Sequence, residues 1–251
     1  MDLILQGFAW IYDPAHWSTA GNAVPIGARI VQHLYYTGIS LFFTVIIAVP
    51  LGFFIGHTGK GRAAAIVVSN ISRALPTLGL YAALLLALGF GLVPITIVLV
   101  ILGIPPLLAG VYAGIESVDP QTVDSARAMG MTELQILGKV EIPLGMKLIF
   151  GGFRSASLQI IATVTIAGYF GFGGGLGAYL TNGLAQNDYP QMVAGAILVI
   201  ALALIVDGIL AVIQRFVVPT VSSGTRSTKR TARGGAIPPV AQSRTLIKEG
   251  Q

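Results

Sequence analysis

The sequence predicts an all-α membrane protein with five transmembrane helices, an N-terminus outside the cell and a C-terminus in the cytoplasm. Three observations support this fold class: the composition, five long apolar segments, and an uneven distribution of basic residues. The chain has 251 residues, of which 54% are hydrophobic and 10% are charged. Soluble domains average about 25% charged residues. Most of this chain therefore cannot face water.

Five segments are long and apolar enough to cross the membrane, since about 20 apolar residues span roughly 30 Å of hydrocarbon. The second is interrupted by the largely polar segment at residues 69–73 and by Pro76, and the third contains Gly103 and the pair Pro105-Pro106. Together they form a predicted transmembrane domain over residues 34–217, with spans at residues 34–56, 63–89, 93–113, 148–170 and 191–217.

The flanking segments and the basic residues predict the orientation. Residues 1–33 are expected to be extracytoplasmic, and their apolar piece Leu3 to Tyr12 predicts an interfacial helix, because it is too short to span and lacks a basic signal-peptide region. Basic residues follow the first, third and fifth spans. These three segments lie together on the cytoplasmic side only if the chain has five spans and its N-terminus is outside. The basic residues are Lys60, Arg62, Lys139, Lys147 and Arg215.

The net charge of +5 lies in the C-terminal tail. Residues 219–251 hold six basic residues and one acidic residue, whereas residues 1–218 hold nine of each. This distribution indicates membrane orientation and gives no support to nucleic-acid binding. The tail, residues 218–251, is polar and rich in small residues, so it predicts a disordered cytoplasmic segment. Contact with anionic lipid is an alternative role.

Several kinds of chemistry are excluded by the residues present. The absence of cysteine excludes disulfides, thiolate metal sites and a cysteine nucleophile. The three histidines are scattered and predict no metal site. An ATP-binding P-loop needs G-x-x-x-x-G-K-[ST], and the nearest segment has Phe54 and Gly61 at two of these positions. The glycine run at residues 171–177 lacks dinucleotide-loop spacing and predicts an extracytoplasmic turn. The chain is therefore not expected to be an enzyme.

The loop at residues 114–147 is the longest predicted cytoplasmic connection, and it carries helix signals. Asp119-Pro120 predicts a helix start, with an N-cap followed by proline at the first helical position. Gly130 predicts the end of that helix in the left-handed conformation. Thr132 to Gln135 fits a capping box that opens a second helix, which Pro143 is expected to end before the fourth span. An ordinary amphipathic surface hairpin would show the same features.

The loop contains Asp124, Ser125 and Ala126, then Gly130 after three residues, and Val140, Ile142 and Pro143 after nine more. This segment resembles the EAA loop of ABC-importer permeases, whose pattern is E-A-A, three residues, G, nine residues, and I-x-L-P. Both spacings match, with four conservative replacements. The resemblance implies a type I ABC-importer permease fold and a loop that docks onto a cytoplasmic ATPase. Asp124 and Arg127, which lie one turn apart on the first loop helix, would then offer opposite charges to the ATPase.

The same resemblance implies the partners. They are separate ABC ATPase subunits that bind ATP and magnesium, a second permease subunit of the same or similar sequence, an extracytoplasmic substrate-binding protein and the lipid bilayer. This chain would hold no cofactor of its own, and its location would be the bacterial inner membrane.

Looser motifs resemble the glycine betaine/carnitine/choline branch of that family. They are His33-Leu34, Val49-Pro50-Leu51-Gly52, Arg73-Ala-Leu-Pro76, Asp119-Pro120 and the glycine run. The branch implies import of a compatible solute. An amino acid or another small solute is the alternative substrate, and a secondary transporter or a non-transporting scaffold are the alternative classes. A secondary transporter would show internal repeats and midplane acids.

Ionisable and aromatic residues inside the spans are candidates for the transport pathway. An intramembrane charge costs about 2.5–3.5 kcal/mol on insertion scales, so such residues face cavities or partners. Arg73 and Asp207 are expected to pair or to line the pathway, while Arg154 lies near a span end and can reach the interface. Irregular backbone at Pro76 and Pro105-Pro106 is expected to line a cavity or a protein contact. Aromatic faces bind quaternary ammonium groups, which adds Tyr81, Tyr112 and Tyr169.

Overall fold

The computed structural model describes residues 2–18, 24–170 and 174–218, apart from the side chain of Arg73. The predicted disordered tail lies outside the described residues. Every regular element among those that are described is helical, which confirms the all-α prediction. The α-helices are α1 (Asp2–Tyr12), α2 (Ile26–Thr58), α3 (Arg62–Ala74), α4 (Thr77–Leu88), α5 (Leu92–Glu116), α6 (Pro120–Ala128), α7 (Glu133–Ile136), α8 (Ile142–Val164), α9 (Gly177–Gln186) and α10 (Tyr189–Val217).

Within the described residues, four helical segments are long and apolar enough to cross a membrane: α2, α5, the continuous run Glu133–Phe170, and α10. The helices α3 and α4 together form a fifth candidate span, which is bent by 91°. Pro76 causes this bend, because the residue before a proline is driven out of the helical region, and Leu75 is extended at φ −68° and ψ 127°. The predicted second span is therefore two helices, and the part of the chain that the structure describes holds four candidate spans, or five if this bent pair counts as one.

The helix α5 forms the centre of the core, where it packs against both α2 and α8. Its contact with α8 is a backbone contact at glycines. A Cβ atom on Gly110 would lie 2.4 Å from the Cα of Gly152, and one on Gly145 would lie 2.4 Å from the carbonyl oxygen of Gly114. Gly110 and Gly114 form a G-x-x-x-G motif, which lets membrane helices approach this closely.

Two prolines behave differently from the sequence prediction. Pro105 and Pro106 lie inside the uninterrupted helix α5, so the predicted break there is wrong. Pro143 does not end the second loop helix, because α7 continues through a π-helical turn, Leu137–Glu141, into α8. The wider π-turn shifts the hydrogen-bond pattern, and Pro143 occupies the first turn of α8, where a missing N–H is tolerated.

The first long helix begins at Ile26, eight residues before the predicted span. His33 near its start is fully buried and connects it to two distant segments. Its Nε2 lies 3.0 Å from the carbonyl oxygen of Ile161, and its Nδ1 accepts from the backbone N–H of Leu176 at 3.3 Å. A Cβ on Gly175, at φ +52°, would lie 2.6 Å from the Cβ of His33. The glycine turn thus permits close contact with α2; residues 171–173 lie outside the described part.

The helix α9 was missed by the sequence analysis, which predicted a turn at residues 171–177 and no helix between the spans that end at residue 170 and begin at residue 191. It follows the glycine turn and ends at Asn187, which is left-handed at φ 57°. Asp188 then caps α10 by accepting from the N–H of Gln191 at 3.1 Å. The N-terminal helix α1 packs against α10, with Trp10 stacked on His16 at a ring distance of 3.7 Å.

Candidate functional site: the coupling loop and the pathway cavity

The first loop helix, α6, begins and ends where the sequence predicted. The side chain of Asp119 accepts from the N–H of Gln121 at 2.9 Å, and Pro120 occupies the first turn. Gly130 follows the helix at φ +84°, and the N–H of Met131 closes the turn by donating to the carbonyl of Ala126 at 3.3 Å. This arrangement is a Schellman-type end. Both predictions, the N-cap and the left-handed glycine, are confirmed.

The second loop helix, α7, opens with the predicted capping box. The Thr132 hydroxyl accepts from the N–H of Gln135, and the Gln135 side chain accepts from the N–H of Thr132 at 3.0 Å. Two large apolar side chains flank the glycine turn and are exposed, Met129 at 77% and Leu134 at 82%.

The residues of the EAA-like segment divide into two groups by burial. Ala126 is buried, whereas Asp124, Ser125, Arg127 and Gly130 are exposed. The remaining three residues of the segment are half-buried in or next to the π-turn: Val140, Ile142 and Pro143. The exposed group is the part of the loop that a partner can reach.

The charges of the loop form one connected network. Arg127 donates to Asp124 at 2.8 Å and binds Glu133 through two nitrogens at 2.8 and 3.0 Å. The hydrogen bonds to Glu133 raise the pKa of Arg127. Glu133 also lies 3.2 Å from Nε2 of His57, whose Nδ1 lies 2.6 Å from Glu141. Arg127 is therefore held within the loop by two acids, rather than paired with Asp124 alone.

Sequence analysis missed His57, Glu133 and Glu141. His57 and Glu141 are 84 positions apart, and no local pattern connects them. The available signals were weak ones: a histidine directly after the first predicted span, and an acid at the first position of the second loop helix.

A cavity of about 380 Å³ opens beside the bend between α3 and α4 and beside the two prolines of α5. Because Pro105 and Pro106 have no N–H, the carbonyls of Ile101 and Leu102 lose their usual helical donors. The expectation that these prolines lie beside a cavity agrees with this geometry. Four of its lining residues carry hydroxyl or amide groups, and the lining residues are Ser72, Leu75, Thr77, Leu102, Pro105, Pro106, Ser155 and Gln159.

The three candidate tyrosines are not brought together. Tyr81 is fully buried in the core, where its hydroxyl donates to the carbonyl of Thr163 at 3.3 Å. Tyr112 packs against the α2–α5 contact, and Tyr169 is 58% exposed. None of these three is among the described residues that line the cavity. They remain candidates for the pathway, and Tyr81 has a packing role.

Asp207 pairs with Arg154, a partner the sequence analysis did not assign. The Arg154 guanidinium donates to both carboxylate oxygens, at 2.7 to 3.0 Å, and to the side-chain oxygen of Gln214 at 3.1 Å. The pair joins α8 to α10. Arg73 lies in the last turn of α3, three residues before Pro76, and its side chain lies outside the described part.

The fold and the loop define a class of protein, the membrane-spanning permease of an ABC importer. Solved structures support the fold. A chain of the MetNI methionine ABC transporter in an inward-facing conformation aligns with a TM-score of 0.67 and 21% identity, over 77% of this chain and 96% of that chain. A chain of an amino acid ABC transporter aligns with a TM-score of 0.54 and 19% identity, over 76% and 94%.

Sequence relatives give the family. Residues 48–219 match the binding-protein-dependent transport system inner membrane component family, and the chain belongs to it. It is 37% identical to the glycine betaine/carnitine/choline transport system permease protein OpuCB of Bacillus subtilis, over 75% of this chain and 86% of the relative. It is 34% identical to the choline transport system permease protein OpuBB of Bacillus subtilis, over 76% and 88%. The chain is thus an inner-membrane permease of an ABC importer.

Proposed function

We propose that this permease forms the translocation pathway for a compatible solute of the glycine betaine, carnitine or choline type. The observation that carries the proposal is the 37% identity, over most of both chains, to a relative named for these three solutes. A relative in Salmonella typhimurium, an osmoprotectant import permease, is 29% identical over 79% of this chain. An amino acid is the alternative substrate.

The cavity beside the prolines is the proposed pathway segment within one subunit. Its hydroxyl and amide groups can donate to a solute carboxylate or accept from a solute hydroxyl. The lining residues that the structure describes carry no charge, so these hydroxyl and amide groups are the proposed contacts for the solute. A binding protein outside the membrane would then do most of the selection.

The driving force is proposed to come from a separate ATPase that binds the loop at residues 114–147. The exposed side chains of Met129 and Leu134 offer the ATPase an apolar contact. The exposed charges of α6 offer it polar contacts. A second permease subunit would complete the pathway. The orientation proposed for this assembly places the N-terminus outside and the loop and tail in the cytoplasm, in accord with the distribution of basic residues.

Reconstitution tests this function. Proteoliposomes that contain the permease, its ATPase and its binding protein should take up radiolabelled glycine betaine, carnitine or choline. This uptake should require ATP on the side of the membrane where the ATPase is bound. Uptake should vanish when ATP is omitted or when the ATPase carries an inactive catalytic site. Uptake that persists without the ATPase would indicate a secondary transporter. ATP-driven uptake of an amino acid, with none of the three solutes, would move the substrate assignment to the alternative.

A further inference from the structure

His57 lies in the last turn of α2 and touches two acids of the loop that follows α5. Its Nδ1 is 2.6 Å from Glu141, and its Nε2 is 3.2 Å from Glu133. The side chains of His57 and Glu141 are 16% and 7% exposed, so the contact is shielded from water. An imidazole ring that carries a hydrogen on each nitrogen can donate to both carboxylates at once. The first span and the loop therefore share a polar contact.

The contact continues to the part of the loop that a partner can reach. Glu133 is held on its other side by Arg127, which in turn holds Asp124. Arg127 and Asp124 lie on α6, and Glu133 is the first residue of α7. A displacement of the two loop helices therefore acts on His57 through charge-assisted hydrogen bonds, which are the stronger kind.

On its other side, the end of α2 fits closely against α5. A Cβ on Gly56 would lie 2.6 Å from the Cβ of Ile115, and one on Gly52 would lie 2.6 Å from Val111. Close-packed interfaces of this kind transmit displacement because they cannot deform continuously. The helix α5 carries Pro105 and Pro106 of the cavity wall. Side-chain contacts thus connect the loop surface to the cavity through His57, α2 and α5.

We propose that His57 is a positioning residue that transmits displacement of the coupling loop to the first span and so to the pathway cavity. The proposal rests on the proposed function, because it needs an ATPase that moves the loop. Without this contact, the loop still docks, since α6 and α7 keep their caps and the Arg127–Glu133 pair. What is lost is the transfer of its movement to α2.

The test compares His57→Ala with His57→Arg in the reconstituted complex with its ATPase. His57→Ala should insert, bind the ATPase and support ATP hydrolysis, while solute taken up per ATP hydrolysed falls by about tenfold, within the usual range of coupling between distant sites. His57→Arg, whose guanidinium can also donate to both acids, should restore much of the ratio. A purely structural role would lower abundance and hydrolysis together with uptake, and would leave the ratio unchanged.

Two further variants complete the test. Arg62→Ala removes an ion pair with Glu116 that does not involve the loop helices, and its ratio should equal that of the wild type. Glu141→Gln removes the charge of the buried acid 2.6 Å from His57 and leaves the Arg127–Glu133 pair in place, so it should lower the ratio even if His57→Ala fails to insert. A wild-type ratio in His57→Ala, or in Glu141→Gln where His57→Ala fails to insert, overturns the proposal while the proposed function stands. A wild-type complex without ATP-driven uptake contradicts the proposed function itself.

Discussion

Arg154 on α8 and Asp207 on α10 form a two-oxygen ion pair with donor–acceptor distances of 2.7 to 3.0 Å. Their side chains are 29% and 30% exposed, and both lie in candidate membrane spans. The pair satisfies an arginine that would otherwise cost up to about 2.5–3.5 kcal/mol in a span. It also joins α10 to α8.

Removing one member of this pair should destabilise the protein. Asp207→Leu leaves the Arg154 guanidinium without its carboxylate, and an uncompensated charge of this kind costs on the order of 3 kcal/mol. The unfolding temperature in detergent should fall clearly. The double variant Arg154→Leu with Asp207→Leu should recover most of the loss, because it removes both charges. Equal stability of the single variant and the wild type would show that the pair does not hold α10.

The glycine contact between α5 and α8 makes a second prediction, with a control at the adjacent position. A Cβ on Gly152 would lie 2.7 Å from the Cα of Gly110, whereas one on Gly151 would meet nothing within 4 Å. Gly152→Ala should therefore destabilise the protein by about 1–3 kcal/mol through overpacking, and Gly151→Ala should not. Thermal unfolding of both variants in the same detergent measures the difference. Similar unfolding temperatures would contradict the close backbone contact.

The orientation can be tested with single cysteines, because the chain has none of its own. Cysteines at Asp13 and Asn187 should react with an impermeant reagent added to intact cells, and cysteines at Lys60 and Arg230 should not. The basic residues on one side of the spans give the physical reason. Permeabilised cells provide the control, since all four positions should then react. Labelling at position 230 in intact cells would reverse the predicted orientation.

Local sequence was sufficient wherever a structure depends on neighbouring residues. Asp119, Gly130 and Thr132 form the caps and turn they predict, because the partners of those hydrogen bonds lie within five residues. The bend at Pro76 follows from the same kind of local constraint. The long apolar segments predicted helices that are long enough to be candidate spans, because bilayer thickness sets that length.

Features that depend on tertiary contacts could not be derived in this way. The contact of His57 with Glu141 joins residues 84 positions apart, and that of Arg154 with Asp207 joins residues 53 apart. Pro105 and Pro106 predicted a break, but φ of proline is compatible with a helix, and here α5 continues past them. Whether a proline breaks a helix depends on what surrounds the unpaired carbonyls, which the sequence does not specify.

Gly130 provides the sharpest test of the coupling loop. Its φ of +84° lies in the region where a side chain costs on the order of 1–2 kcal/mol, and a β-branched one more. Gly130→Val should therefore redirect α6 relative to α7 and leave the spans intact. Insertion and abundance should be normal, binding to the ATPase should weaken, and ATP-driven uptake should be lost. Copurification with the ATPase and uptake in proteoliposomes measure these effects.

Gly138 gives the matched control for Gly130→Val. It lies in the same loop, and a Cβ there also meets nothing within 4 Å, but its φ is not positive. Valine is at least as compatible with a helical turn as glycine, so Gly138→Val should bind the ATPase and transport as the wild type does. The comparison separates backbone conformation from the mere addition of a side chain. Transport at the wild-type rate by Gly130→Val would show that this loop is not the coupling element.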